Sequence, residues 1–303
     1  MALGLRLLSS LLLLLAIPAA GQPPANRPVL LGQLVDVGGY RVHLYCTGSG
    51  RSTVMVLGAG FSFDWGLVQP EVAKFSTICT YDISGTAWSD PGPVLTCRER
   101  VDEVHRLVRA AHLEPPLVLT GLSIGGCVAR LYAAKYPSEV SGIVIVDHAF
   151  SPDPAPDVGN SHLATNAGVD TPPVLIHQTP IVVTVEQASE FGRLPKRIQK
   201  LHQWAASLDP KLPSWDAAED CLAQLKADAP GPYPLGNMPL VVVSTGNQAR
   251  GYDRLQNELL ALSHHSIHMM AELSFHSVEI DQPEVVIAAI RQVVESLRKA
   301  SGQ

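Results

Sequence analysis

Short apolar runs rich in β-branched residues alternate with longer segments of helical periodicity from about residue 40 onward. Within those longer segments, apolar residues recur at helical spacing, as in residues 101–111 and 285–293. This alternation predicts an α/β fold with a mainly parallel central sheet of about eight strands, flanked by helices on both faces. The predicted strands are Arg41–Cys46, Val54–Leu57, Thr77–Tyr81, Leu117–Thr120, Ile143–Val146, Leu240–Ser244 and Ile267–Met270.

A proline-rich stretch over residues 151–180 interrupts this alternation and has no clear period. Two helical patterns follow it, near Pro195–Leu208 and Trp215–Ala227. The remaining residues, about 65, are too few for a separate α/β unit. We therefore predict one domain over residues 21–303, with a mostly helical cap inserted at about 148–238.

The N-terminus has the pattern of a secretory signal peptide. Arg6 precedes an apolar run from Leu7 to Ile17, and the small residues Ala19 and Ala20 follow it. A run of that length is too short to cross a bilayer core of roughly 30 Å as a helix. We therefore expect residues 1–20 to be removed, leaving a secreted or periplasmic protein with no stable membrane span.

The charge balance excludes one class of partner. The chain has 22 Lys plus Arg against 28 Asp plus Glu, a net charge of −6, and its basic residues form no cluster. Nucleic-acid binding requires a concentrated basic surface. We therefore expect no nucleic-acid partner, and the sequence says nothing about the oligomeric state.

Five cysteines are present, and none belongs to a Cys-x-x-Cys pair. An oxidising compartment would allow two disulfides and one remaining thiol, but the sequence does not choose the pairing. We favour small buried residues and one bridge, and no metal site. The cysteines are Cys46, Cys79, Cys97, Cys127 and Cys221.

Gly121, Ser123 and Gly125 form a Gly-x-Ser-x-Gly motif between a predicted strand and a predicted helix. A turn this sharp strains the backbone at the serine, and the glycines allow neighbouring segments to approach closely. The serine hydroxyl is then raised above the sheet edge. The Ile124 N–H lies at the start of the helix, where it is suited to stabilise an oxyanion.

Together with two further segments, this motif resembles the α/β-hydrolase fold superfamily, in particular its serine esterases. The segment 81–90 is similar to the family's turn after its fourth strand, with Ser84 and Ala87 where Arg and Gly are usual. The segment 275–283 is similar to the family's histidine segment, and Pro283 is suited to open the last helix. The resemblance covers residues 31–297 apart from the predicted cap.

The resemblance implies a catalytic triad of Ser123, His276 and an acid. Imidazole is the base that a serine hydroxyl needs near neutral pH. In the family the acid usually follows the strand after the cap, but residues 244–249 contain no carboxylate. Asp147 matches an alternative position before the cap, and Asp253 is the second candidate. The acid need only orient the imidazole, so either position is open.

The resemblance also places the second oxyanion donor in the loop after the third strand, at the Phe61 N–H. We therefore predict a carboxylesterase-like serine hydrolase that needs no cofactor or metal and acts on small or medium esters, less readily on amides. The alternative is a non-catalytic protein of the same fold that binds a ligand. Labelling by a serine-directed phosphonate distinguishes the two.

Overall fold

The computed structural model describes residues 27–58, 60–148, 174–175, 191–208, 215–227, 234–246, 252–300 and 302. The predicted signal peptide at residues 1–20 lies outside these ranges. Among the helices of the described ranges, none combines the length and apolar character that crossing a bilayer requires.

The described strands form one nine-stranded sheet in the order β1-β2-β4-β3-β5-β6-β8-β9-β7. Only the pairs β1–β2 and β2–β4 are antiparallel, and the other neighbours are parallel. The predicted fold class is therefore confirmed. The strands are β1 Gln33–Asp36, β2 Arg41–Thr47, β3 Thr53–Leu57, β4 Thr77–Tyr81, β5 Leu117–Leu122, β6 Val140–Val146, β7 Val174–Leu175, β8 Leu240–Thr245 and β9 Ser266–Ala271.

All seven predicted strands are present, and two described strands were not predicted. β1 is a four-residue antiparallel edge strand, and β7 is a two-residue strand inside the proline-rich stretch. Both are too short to show a period of two in the sequence.

Helices cover both faces of the sheet. Two helices, α1 and α8, pack on one face, and α2, α3, α5 and α6 contribute to the core on the other. The helices are α1 Gln69–Val72, α2 Cys97–Ala110, α3 Ile124–Lys135, α4 Lys196–Ala206, α5 Trp215–Ala227, α6 Tyr252–Leu260, α7 Val278–Asp281 and α8 Pro283–Ala300.

The central strands are buried on both sides, which explains their continuous apolar sequences. In β6, Ile143 and Ile145 face the core beside α2 and α3, whereas Val144 and Val146 face the core beside α8. All four side chains are fully buried. Alternate residues of each parallel strand therefore fill two separate cores.

Helices α4 and α5 belong to the segment that connects the adjacent parallel strands β6 and β8. α5 packs against α2 and α3, and α4 packs against the turn at Ser62–Trp65. The Trp204 ring of α4 lies 5.1 Å from the Trp88 ring. The segment between β6 and β8 therefore contacts both the helical layer and the loop that follows β3.

Two disulfides form, where the sequence led us to favour one. Cys46 and Cys79 are cross-strand partners in β2 and β4, and Cys97 at the start of α2 is joined to Cys221 in α5. Cys127 is a buried free thiol. Sequence spacing did not reveal these pairs, because both depend on elements that meet only in the folded chain.

Candidate active site

Ser123 occupies the sharp turn between β5 and α3. Its backbone lies in a region that L-residues rarely adopt, with φ 55° and ψ −124°. The Ser123 N–H donates to the Val146 carbonyl of β6 at 3.0 Å, which fixes the turn to the neighbouring strand. Ser123 is 9% exposed.

The two glycines of the motif are required by close packing. A Cβ atom at Gly125 would lie 1.8 Å from the Leu57 carbonyl oxygen, and one at Gly121 would lie 2.3 Å from the Gly125 carbonyl oxygen. Without side chains at these positions, the first turn of α3 lies directly against the end of β3. This contact brings the loop after β3 close to the serine turn.

The Ile124 N–H is at the first position of α3. No hydrogen bond within the described ranges engages this N–H, as expected for the first turn of a helix. The partial positive charge of a helix N-terminus favours an oxyanion at such a group.

Asp147 and His276 are brought together although one follows β6 and the other follows β9. The distance from His276 Nδ1 to Asp147 Oδ2 is 2.6 Å, and the Thr245 hydroxyl donates to Asp147 Oδ1 at 3.3 Å. The Asp147 side chain is 7% exposed, and that of His276 is 57% exposed. A buried carboxylate thus holds an imidazole that solvent can reach.

The Asp147 backbone is constrained as well. Its φ is 41°, and its N–H donates to the Val243 carbonyl of β8 at 2.8 Å. The side chain of Asp253, the second candidate for the acid, lies outside the described part of the chain. Of the two candidates, Asp147 is therefore the one for which the structure describes a contact with His276.

His148 is hydrogen-bonded to the backbone of the serine turn. It is fully buried, and its Nδ1–H donates to the Ser123 carbonyl at 3.0 Å. Its Nε2 lies 3.7 Å from Cys127 Sγ. Burial, together with the charge of Arg130, lowers the pKa of His148 to about 4, and burial raises the pKa of Cys127 to about 12. At neutral pH the imidazole is therefore uncharged, and the thiol keeps its proton.

The Phe61 N–H, predicted as an oxyanion donor, has a partner within its own loop. It donates to Asp64 Oδ2 at 2.9 Å, and Asp64 Oδ1 accepts from His202 Nδ1 of α4 at 2.8 Å. Burial raises the pKa of Asp64, and the hydrogen bond from His202 opposes that shift. No hydrogen bond in the described ranges engages the preceding amide, that of Gly60.

The sequence analysis did not identify Asp64, His148 or His202 as parts of this region. Two local signals were available. His148 directly follows Asp147, and Asp64 stands three residues after Phe61, where an acidic side chain can accept from the first amide of a helix. No local signal links His202 to Asp64, because the two residues are 138 positions apart.

One histidine near the last strand contacts a serine of the neighbouring strand. His268 Nε2 lies 2.7 Å from the Ser244 hydroxyl. Among the described residues, no three His, Cys, Asp or Glu side chains come close enough together to hold a metal ion.

Known proteins that are similar to this chain have the same type of fold. Residues 57–169 match a family model described as the alpha/beta hydrolase fold. The protein YqjL of Bacillus subtilis is 24% identical over 253 residues, which cover 81% of this chain and 84% of YqjL.

Two solved structures are similar over most of their length. An esterase from Thermogutta terrifontis has a TM-score of 0.59 at 19% identity, over 85% of this chain and 94% of the esterase. A meta-cleavage product hydrolase from Pseudomonas fluorescens has a TM-score of 0.59 at 14% identity, over 88% and 98%. At these identities the similarity concerns the fold alone.

Proposed function

Because this chain has the α/β-hydrolase fold, we propose that it is a serine hydrolase that cleaves carboxylic esters of small or medium size. The observation that carries the proposal is the 2.6 Å contact between Asp147 Oδ2 and His276 Nδ1, which follow two strands on the same side of the serine strand β5. In the Ser-His-Asp mechanism, a carboxylate holds the imidazole base in one orientation and tautomer.

In the proposed reaction, the Ser123 hydroxyl attacks the ester carbonyl while His276 Nε2 accepts its proton. Because His276 Nδ1 donates to Asp147, the base in this reaction is the other ring nitrogen, Nε2. The imidazolium then returns the proton to the alcohol that leaves. Water, activated by the same imidazole, hydrolyses the acyl-enzyme and restores the serine.

The negative charge of the tetrahedral intermediate needs donors that are already in place. We assign the first donor to the Ile124 N–H, which is unengaged within the described ranges. We assign the second to the loop at Gly60–Phe61, next to the end of β3. Of the two amides in this loop, we assign the Gly60 N–H, since the Phe61 N–H already donates to Asp64.

We also propose that the protein works outside the cytoplasm, as the N-terminal sequence pattern indicates. The bridges Cys46–Cys79 and Cys97–Cys221 support this proposal, because disulfides persist mainly in oxidising compartments.

The proposal is tested with a fluorescent fluorophosphonate on the purified protein and on Ser123→Ala and His276→Ala variants. We expect the wild type to be labelled and hydrolyse 4-nitrophenyl esters, and both variants to lose these activities. Ser244→Ala is the matched control, because Ser244 also contacts an imidazole but lies outside the proposed site. Its labelling is expected to be unchanged.

A folded wild type that takes no label and hydrolyses no ester would overturn the hydrolase proposal. The engaged Phe61 N–H would then favour the second candidate function, a protein that binds a ligand without turning it over. Labelling that persists in Ser123→Ala would place the reactive serine elsewhere.

A further inference from the structure

The loop after β3 is fixed by two consecutive backbone amides, each of which donates to a buried carboxylate. The first is the Phe61 N–H, which donates to Asp64 Oδ2 at 2.9 Å. The second is the Ser62 N–H, which donates to Asp82 Oδ1 at 2.7 Å. Asp64 is 4% exposed, and Asp82 is fully buried. Such charge-assisted bonds hold a backbone more firmly than neutral ones.

Each of these carboxylates is also hydrogen-bonded to an imidazole, and the two imidazoles come from different parts of the fold. His43 of β2 lies with Nδ1 2.8 Å from Asp82, and its Nε2 accepts from the Gly32 N–H at 3.2 Å. His43 lies in β2 and Asp82 directly follows β4, and both side chains are fully buried. His202 of α4 supplies the equivalent contact to Asp64.

His202 is held by two aromatic rings as well as by Asp64. Its ring stacks on Phe191 with centroids 3.7 Å apart and meets the edge of Phe61 at 5.2 Å. The side chain is 18% exposed. A shift of α4 would therefore move the imidazole and the carboxylate that it holds.

The Asp64 carboxylate also lies directly against the backbone of the loop. A Cβ atom at Gly60 would be 2.7 Å from Asp64 Oδ2, so only glycine leaves room for the carboxylate here. This one side chain thus packs against Gly60 and accepts from the Phe61 N–H.

From these contacts we propose that Asp64 is a positioning residue. Through His202, it links the Gly60–Phe61 loop, and with it the Gly60 N–H assigned as the second oxyanion donor, to the position of helix α4. The inference rests on the proposed hydrolase function for its effect on catalysis. The Asp82 pair is fully buried, includes no residue of α4, and fixes one side of the loop. The Asp64 pair fixes the other side only while α4 is in place.

The test uses Asp64→Ala, Asp64→Asn and His202→Ala in the full chain, with steady-state kinetics on a 4-nitrophenyl ester and the rate of fluorophosphonate labelling. We expect Asp64→Ala and His202→Ala to lower kcat by about tenfold to a hundredfold, with KM changed less than about threefold. Asp64→Asn keeps an acceptor for the Phe61 N–H, so it is expected to recover part of the loss.

A double-mutant cycle separates positioning from general packing. If His202 acts through Asp64, its removal should have little further effect on kcat in the Asp64→Ala background. The matched control is His105→Ala, which removes another imidazole–carboxylate contact, the 3.2 Å contact between His105 and Glu139. That variant is expected to keep the wild-type kcat.

Hydrogen–deuterium exchange of the peptide over residues 57–65 gives a readout that needs no activity. We expect at least tenfold faster exchange in Asp64→Ala and His202→Ala, and no change in His105→Ala. Unchanged exchange in His202→Ala, or faster exchange with an unchanged kcat, would overturn the inference. Faster exchange in a protein without labelling or turnover would instead refute the hydrolase function and leave the link between α4 and the loop in place.

Discussion

Asp147 Oδ2 lies 2.6 Å from His276 Nδ1, although 129 positions separate the two residues in the chain. The contact depends on the order of the strands, in which β6, β8 and β9 are neighbours. The parallel strands bring their carboxyl ends to one edge of the sheet, where the residues that follow them can meet.

Asp147→Asn tests the assignment of the acid. Asparagine has nearly the same shape but does not hold the imidazole in the required tautomer, so we expect kcat to fall by about 10³–10⁴-fold with the fold intact. Esterase kinetics and circular dichroism measure the two effects. Asp253→Asn is the control, and a larger loss there than in Asp147→Asn would transfer the acid to Asp253.

Gly125→Ala tests the close contact between α3 and β3. The added methyl group would meet the Leu57 carbonyl, so the backbone must move, and we expect a loss of about 1–3 kcal/mol in the free energy of unfolding. Labelling of Ser123 should fall as well. Urea denaturation measures the stability.

Gly126→Ala is the matched control for this prediction, because its Cβ would lie 3.2 Å from the nearest side-chain atoms. We expect a smaller loss of stability there. Equal stability of Gly125→Ala and the wild type would contradict the required close approach.

His148 should make the protein sensitive to mild acid. Its pKa is about 4 in the folded protein against an ordinary value near 6.5, so between these values the unfolded chain binds a proton that the folded protein does not. Its contribution to stability is therefore intact above pH 6.5 and is lost as the pH falls towards 4. The total loss is on the order of 3 kcal/mol.

The measurement is Tm between pH 7 and pH 4 for the wild type and for His148→Gln, in which an amide replaces the imidazole as donor to Ser123. We expect a shallower fall of Tm with acid in His148→Gln. The exposed His265→Gln should follow the wild-type curve, and identical slopes in all three proteins would contradict the prediction.

The two disulfides should contribute unequally to stability. Their cysteines are separated by 33 and 124 positions. A bridge that closes a longer loop removes more entropy from the unfolded chain and therefore stabilises the folded protein more. We expect Cys97→Ser with Cys221→Ser to lose about 1 kcal/mol more than Cys46→Ser with Cys79→Ser. Urea denaturation of the two double variants compares them, and the reverse order would contradict this account.

The fold could be predicted where the pattern is long and repeated. The seven predicted strands were visible as short apolar runs, because strands at the centre of the sheet need apolar residues on both faces. Ser123 was visible because glycines stand at a fixed spacing on either side of it. β1 and β7 were missed because four and two residues are too few to show a period.

The details of the site depend on distances that a sequence does not contain. Asp147 and Asp253 were both acceptable on residue type, and the contact of Asp147 with His276 arises from strand order. The Phe61 N–H was a reasonable donor from its position in the loop, but Asp64 accepts from it in the folded chain. The link from Asp64 to His202 joins two segments that show no common pattern.

The bridge between Cys97 and Cys221 encloses the serine turn, Asp147 and most of the segment between β6 and β8. A protease that cuts any single peptide bond within that enclosed stretch would leave two fragments still joined covalently. Such a nicked protein would migrate as one intact species on a denaturing gel until a reductant is added. Nicking within the enclosed stretch is therefore visible only on a reducing gel.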